Sequence, residues 1–122
     1  MLKKFTNKEI NFTFTPHLTP MFRGIMSTIY IDLENGITQS KVIKKLSAFY
    51  KKDNFIKILK ADSLISTNDV INTNNCFISV CKSKYKNKII ILSVIDNLIK
   101  GGSGQAIQNL NIKFNFPEKT AL

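Results

Sequence analysis

The strongest constraint on the fold is an apolar segment at residues 89–95, interrupted only by Ser93, which follows a polar segment at 83–88. Such a run is typical of a central strand that is covered on both faces. Residues 76–81 before the polar segment are also apolar and β-branched, so the two segments predict a hairpin. The positions of Cys76 and Cys81 differ by an odd number, so their side chains should lie on opposite faces of the strand. This disfavours a disulfide or a shared metal site.

Apolar periodicity elsewhere predicts further strands and two helices. Strand-like patterns occur at four places: residues 9–16, 24–33, 55–59 and 70–73. Thr38 is predicted to cap a helix that runs to about Lys52, and a second helix is predicted at 105–113. The order β-β-α-β-β-β-α predicts an α+β domain with a mixed, largely antiparallel sheet and helices on one face.

Length and composition are those of one soluble domain. The chain has 122 residues, 43% of them hydrophobic, and it contains nothing near the ~20 consecutive apolar residues of a membrane helix. The basic start lacks the apolar core of an export signal, so we expect a cytoplasmic protein with no membrane partner. The net charge of +10 allows a small nucleic-acid binder, but the scattered lysines favour a solvated basic surface and no nucleic-acid partner.

Three features could carry chemistry. His17 is the only histidine, lies between Pro16 and Pro20, and could act as an acid or base; a surface histidine is the commoner outcome. Arg23 is the only arginine, and its planar guanidinium could bind an anion or form a surface ion pair. The glycine-rich residues 101–104 open the second helix, where either an anion could bind or Ser103 could cap a flexible turn. No metal site is predicted, because one histidine and two opposed cysteines cannot form one.

Long stretches of the chain resemble N-acetyl-γ-glutamyl-phosphate reductases of the aspartate-semialdehyde dehydrogenase-like family. Residues 14–25 (FTPHLTPMFRGI) resemble that family's "TPHLxPMxRGI" stretch. Residues 93–109 resemble its "IDNLxKGxSGQAxQN" stretch, and residues 116–122 its "LPExxGL" ending. The resemblance extends over essentially the whole chain.

The resemblance implies NADPH-dependent reduction of N-acetyl-γ-glutamyl phosphate to the semialdehyde, a step of arginine biosynthesis. It implies that His17 is the acid/base and that Arg23 holds the anionic end of the substrate. The family's glycine turn contributes to the NADP site, which implies cofactor contacts from the matching residues: Asn97, Lys100, Gly101, Gly102, Ser103, Gly104 and Gln105. Residues 1–95 would then form the catalytic and dimerisation domain, and residues 96–122 a terminal loop and helix docked on the NADP-binding domain.

The chain also departs from the family pattern. It has no Rossmann domain, and neither Cys76 nor Cys81 lies in the context of the family's nucleophilic cysteine. We therefore expect a C-terminal fragment that is inactive alone, needs an N-terminal NADP-binding half as partner, and forms homo-oligomers through its sheet. A non-catalytic oligomerising module derived from the family is the alternative, ahead of the nucleic-acid binder.

Overall fold

The structure, a computed structural model, describes residues 10–122. Its sheet and helices have these bounds: β1 (Ile25–Asp32), α1 (Gln39–Phe49), β2 (Ile56–Ile58), β3 (Cys76–Lys82), β4 (Lys88–Ile95) and α2 (Gly104–Lys113). The four strands form one sheet in the order β1-β4-β3-β2. β4 pairs antiparallel with both β1 and β3, whereas the short β2 runs parallel to β3. The predicted α+β class with a mixed, largely antiparallel sheet is confirmed.

The hairpin of β3 and β4 holds the centre of the sheet, as its apolar sequence predicts. Val80 lies opposite Ile91, and Phe77 lies opposite Val94. Val80 and Val94 are fully buried, and Ile89 is nearly so. Strands buried on both faces need no polar alternation, which is why apolar residues predominate in this part of the sequence.

Helix α1 begins where the sequence predicts. Thr38 has extended backbone angles, and its side chain accepts a hydrogen bond from the Lys41 amide, so it is the N-cap. The next residue, Gln39, is buried and donates its amide to the Val80 carbonyl at 2.8 Å. The helix ends at Phe49, three residues before the predicted Lys52. Phe49 is 76% exposed, so it is not part of the buried side of the helix.

Two predicted strands are absent from the described residues. Residues 10–16 have no regular secondary structure, and Glu9, the predicted first residue, lies outside the described part of the chain. Prolines 16 and 20 interrupt pairing on one side of this segment. Residues 70–73 form turns instead, because the 3₁₀ helix Thr67–Asp69 leads into them and the Thr73 amide bonds back to the Val70 carbonyl. Val70 is buried but lies in this turn.

Strand β1 is an edge strand with apolar side chains in solvent on both faces. All eight of its residues are exposed. Ile25 and Ile29 lie on one face, and Met26 and Tyr30 on the other; Tyr30 is 74% exposed. An apolar surface of this kind is typical of an interface. Among the described residues, no helix has both the length and the apolar character needed to cross a membrane.

Candidate functional site

A buried carboxylate, Asp96, joins the start of β1 to the turn after β4. Asp96 is fully buried, and Arg23 donates its Nε–H to this carboxylate, with Nε 2.9 Å from Oδ2 and 3.1 Å from Oδ1. Oδ1 also accepts the backbone N–H groups of Leu98 and Ile99, at 2.8 and 2.9 Å. Oδ2 accepts the N–H of Asn72 at 2.8 Å. One side chain therefore fixes three separate segments of the chain.

The bonding of Asp96 keeps it charged despite its burial. Burial alone would raise the pKa of Asp96, but hydrogen bonds from the Ile99, Asn72 and Leu98 amides and from Arg23 outweigh it and lower that pKa to about 2. A buried charge is stable only when its oxygens are paired and hydrogen-bonded in this way. Asp96 is thus an anion at neutral pH and a fixed partner for Arg23.

Gly24 makes a second connection between the same two segments. Its N–H donates to Asn97 Oδ1 at 2.8 Å, and its φ of +112° is one that side chains rarely permit. A β-carbon at this position would lie 2.5 Å from the β-carbon of Thr67. Glycine is therefore required here for both its backbone conformation and its close approach to the 3₁₀ helix.

The glycine turn is a wide helical turn rather than a flexible loop. Ile99–Ser103 forms a single π-helical turn, in which Gly102 has non-helical angles (φ −145°, ψ −111°), and α2 follows directly. Ser103 occupies the N-cap position of α2, but it has helical angles and its side chain accepts no N–H from the helix. Its hydroxyl instead donates to the Leu98 carbonyl at 3.0 Å, so the alternative of a flexible turn capped by the Ser103 side chain is not observed. The helical path begins earlier, and the anion at its start is the carboxylate of Asp96.

The side chain of Lys100 turns inward from this turn. Its ammonium donates to Gln108 Oε1 at 2.6 Å and lies 5.5 Å from the centre of the Phe55 ring. Burial lowers the pKa of Lys100, while electrostatic interactions with Cys76, Glu118 and Asp53 act in the opposite direction. The structure therefore places Lys100 in an internal polar network.

That network holds the end of the chain against α2. The side-chain oxygen of Gln108 accepts hydrogen bonds from the Asn74 amide and the Lys100 ammonium. The side-chain amide of Gln108 donates to Glu118 at 2.6 Å. Glu118 also accepts the side-chain amide of Asn54. The Asn111 side chain donates to the backbone carbonyls of Glu118 and Thr120. Helix α2 thus buries polar residues, while its apolar residues Ile107, Leu110 and Ile112 stay exposed.

His17 stands apart from these contacts. It is exposed in the segment 10–22, which has no regular secondary structure, and it makes no hydrogen bond within the described residues. The prediction that His17 is not a core residue is confirmed, although the strand on which its orientation was argued is absent. The structure brings together Arg23, Asn97 and the glycine turn, and it does not join His17 to them.

The remaining predicted residues differ in exposure. Gly101, Gly102 and Ser103 are exposed, Gly104 is buried against Asn74, and Gln105 donates to Asn109 at 3.0 Å. Reasoning from the sequence missed Asp96 as the organising residue, although Asp96 lies within the quoted "IDNL" motif. An acidic residue directly after an apolar strand and before a helical turn was the available signal.

The cysteines occupy different environments. Cys76 is buried and its sulfur lies 3.4 Å from the Ser93 hydroxyl, whereas Cys81 is half-buried beside Ser79. Both are free thiols at opposite ends of β3. Within residues 10–122, no cluster of three or more His, Cys, Asp and Glu side chains could hold a metal ion.

Comparison with known proteins places the chain in a family. Residues 1–97 match the model of the semialdehyde dehydrogenase dimerisation domain. Over the whole chain, 48% of residues are identical to a protein of Vesicomyosocius okutanii named N-acetyl-gamma-glutamyl-phosphate reductase. A Desulforamulus reducens protein of the same name is 46% identical over 99% of the chain. An Arabidopsis thaliana protein named as a probable chloroplastic form is 40% identical over 99% of the chain.

The match covers only part of each relative. The chain spans 34%, 35% and 30% of the lengths of these three proteins. Among solved structures, aspartate semialdehyde dehydrogenase II of Vibrio cholerae, complexed with ASA, aligns with a TM-score of 0.56 at 20% identity. The alignment covers 77% of this chain and 28% of that one, and it supports the fold. The chain belongs to the semialdehyde dehydrogenase family and corresponds to its dimerisation domain.

Proposed function

We propose that the chain is the C-terminal part of an N-acetyl-γ-glutamyl-phosphate reductase and acts together with a cofactor-binding part of that enzyme. The observation that carries this proposal is identity of 40–48% over nearly the whole chain to proteins of that name, of which it spans about a third. The substrate would be an acyl phosphate with a carboxylate, and the product a semialdehyde.

In this proposal, Arg23 binds an anionic group of the substrate. Its Nε is held by Asp96, and its side chain is 19% exposed, so the terminal amines can reach solvent while the stem stays fixed. A guanidinium held in one orientation loses little entropy when it binds an anion in a bidentate manner. A lysine in the same place would be a point charge without this geometry.

His17 is proposed as the acid/base. It is exposed in a segment without regular secondary structure, beside exposed apolar residues such as Phe14, Leu18 and Phe22. An apolar segment of this kind would pack on the cofactor-binding part, and that contact would bring the imidazole to the reacting carbonyl. An imidazole nitrogen can accept or donate a proton, as an acid/base role requires.

NADP is proposed as the cofactor, bound mainly by the other part of the enzyme. Bound NADP would supply or accept the hydride. Residues 101–103 are exposed, so this part of the turn is accessible to a ligand. Lys100 contributes by holding the turn through Gln108 rather than by reaching outward. The outward residues of the turn and Gln105 are the ones that fit the cofactor.

Two apolar surfaces suit the proposed partners. The exposed faces of β1 suit a second copy of the chain, which is consistent with the family's description as a dimerisation domain. The exposed side of α2, with Ile107 and Leu110, suits the cofactor-binding part, so that residues 96–122 act as the docking segment. Both contacts would complete an enzyme whose active site lies between the parts.

The test is reductase activity, measured in reverse with N-acetylglutamate semialdehyde, phosphate and NADP. The chain is assayed alone and with a separately supplied N-terminal part of a relative. We expect activity only in the mixture, a loss of at least 100-fold in His17→Ala, and little change in the neighbouring control Thr19→Ala. No activity from halves that are folded and associated would contradict the proposal.

A second candidate function is a non-catalytic oligomerising module, which the exposed β1 favours. It predicts association without any reductase activity in the mixture. Sedimentation of the chain alone and with the N-terminal part separates the two candidates. The reductase requires a complex between the chain and the N-terminal part, whereas the oligomerising module requires only association between copies of the chain.

A further inference from the structure

We propose that Asp96 is a positioning residue that holds Arg23 by its Nε and thereby presents the terminal amines of Arg23 as an anion-binding fork; this inference deepens the reductase proposal and rests on it for the identity of the anion. The anion is a phosphate or carboxylate group. No contact between Asp96 and the anion is required.

The geometry of the ion pair supports this role. Both carboxylate oxygens lie within 3.1 Å of Arg23 Nε, and no hydrogen bond between Asp96 and the terminal amines is present. A guanidinium carries five N–H donors, of which Nε supplies one. Among the described residues, these terminal amines make no hydrogen bond, so their four N–H groups remain for a bound anion.

The carboxylate itself cannot move to follow the arginine. Asp96 is fully buried and accepts three backbone N–H groups, from Asn72, Leu98 and Ile99. The neighbouring Gly24–Asn97 hydrogen bond fixes the backbone one residue after Arg23. The arginine is thus restrained at its backbone and at its Nε, and only the terminal amines keep freedom to adjust. This is the arrangement that preorganised anion binding needs.

The same carboxylate links the anion site to the turn proposed to contact the cofactor. Asp96 caps the N–H groups that open the π-helical turn, and its backbone carbonyl accepts the N–H of Gly101 at 2.8 Å. A change at Asp96 should therefore alter anion binding first and the shape of the turn second. Asp62 offers a matched control, because it accepts a backbone N–H from Lys82 and a side-chain amide from Gln39 but has no recorded contact with Arg23.

The chain contains a single arginine, so one Nε–Hε signal in a ¹H–¹⁵N NMR spectrum reports the ion pair directly. In the unmodified chain, we expect this signal to be protected from solvent exchange and to shift on titration with inorganic phosphate. Asp96→Asn should abolish the protection and weaken phosphate binding at least 10-fold, while Asp62→Asn should leave both unchanged. An unprotected Arg23 signal, or a phosphate affinity that Asp96→Asn does not change, would overturn the proposal. If Asp96→Asn fails to fold, the exchange protection of the Arg23 signal in the unmodified chain still tests the ion pair.

Kinetics in the assembled reductase then separate positioning from general stability. Asp96→Asn should raise the KM for phosphate at least 10-fold with a smaller change in kcat, whereas damage to the fold would lower kcat for all substrates. If phosphate binds at Arg23 in an Asp96-dependent manner but the assembled protein has no activity, the reductase proposal fails and the positioning role stands. If the enzyme is active and its KM for phosphate is unchanged in Asp96→Asn, the positioning role fails.

Discussion

Substitution of Gly24 tests whether the start of β1 is held as closely as the structure indicates. Alanine at Gly24 would adopt a φ of +112° and bring its β-carbon to 2.5 and 2.6 Å from the Cβ and Cγ2 of Thr67. The positive φ alone costs about 1–2 kcal/mol for a residue with a side chain. Forced overlap with a packed neighbour adds about 1–3 kcal/mol. We therefore expect Gly24→Ala to lower the free energy of unfolding by about 2–5 kcal/mol.

Gly36 provides the matched control. It also has a positive φ, of +78°, but a β-carbon there would meet nothing within 4 Å. Gly36→Ala should therefore carry only the conformational cost of about 1–2 kcal/mol, reduced by the lower entropy of the unfolded chain. Urea unfolding with a common m-value measures both variants and gives the overlap energy as their difference.

A double-mutant cycle identifies the clash. Thr67→Gly removes both overlapping carbon atoms, so the cost of Gly24→Ala should fall by about 1–3 kcal/mol when it is made in that background. If Gly24→Ala costs no more than Gly36→Ala, or if Thr67→Gly restores nothing, the close approach of β1 to the 3₁₀ helix is wrong. The Gly24–Asn97 hydrogen bond that depends on it would then also be in doubt.

Three further outcomes are expected. Glu118→Gln should cost about 1–3 kcal/mol in urea unfolding, because a carboxamide can accept only one of the two side-chain amides that Glu118 accepts; an unchanged midpoint would contradict the clamp. Cys81 should react with a thiol reagent in the folded chain, and Cys76 only on unfolding; equal rates would contradict the burial of Cys76. Because folding lowers the pKa of Asp96 from 3.8 to about 2, its contribution to stability is full above pH 3.8 and is lost as pH falls through 2. Acid titration of unfolding should show this loss, and Asp96→Asn should remove it.

The parts of the fold that the sequence predicted are those fixed by local patterns. The apolar hairpin, the Thr38 cap and the strand at residues 24–33 all depend on side-chain periodicity or on a single capping residue. The failures at residues 10–16 and 70–73 have a common cause. Residues 10–16 alternate like a strand, and residues 70–73 begin with two β-branched apolar residues. A strand also needs a neighbouring strand, and a local pattern contains no information about one. Val70 is buried all the same, because a turn can also bury one side chain.

The sequence identified residues of the candidate site but not the contacts that join them. Resemblance singled out Arg23 and the glycine turn, which are 73 residues or more apart in sequence, and the structure joins them through Asp96 and Asn97. Local spacing cannot reveal such a pairing, because it depends on the antiparallel register that places Ile25 opposite Ile95. That register brings the residues just before β1 next to those just after β4.

The direction in which α2 faces follows from the same reasoning. An isolated domain gains stability by burying the apolar side of a helix, yet α2 buries Gln108 and Asn111 and exposes Ile107 and Leu110. The buried amides are satisfied by Glu118, Lys100 and the carbonyls of the terminal segment, so this orientation does not leave them without partners. The exposed apolar side of α2 is therefore not buried against any other part of the described chain. A helix whose hydrogen bonds fix its inner side and leave its apolar side outward is arranged to pack against another surface, which agrees with a chain that spans about a third of its relatives.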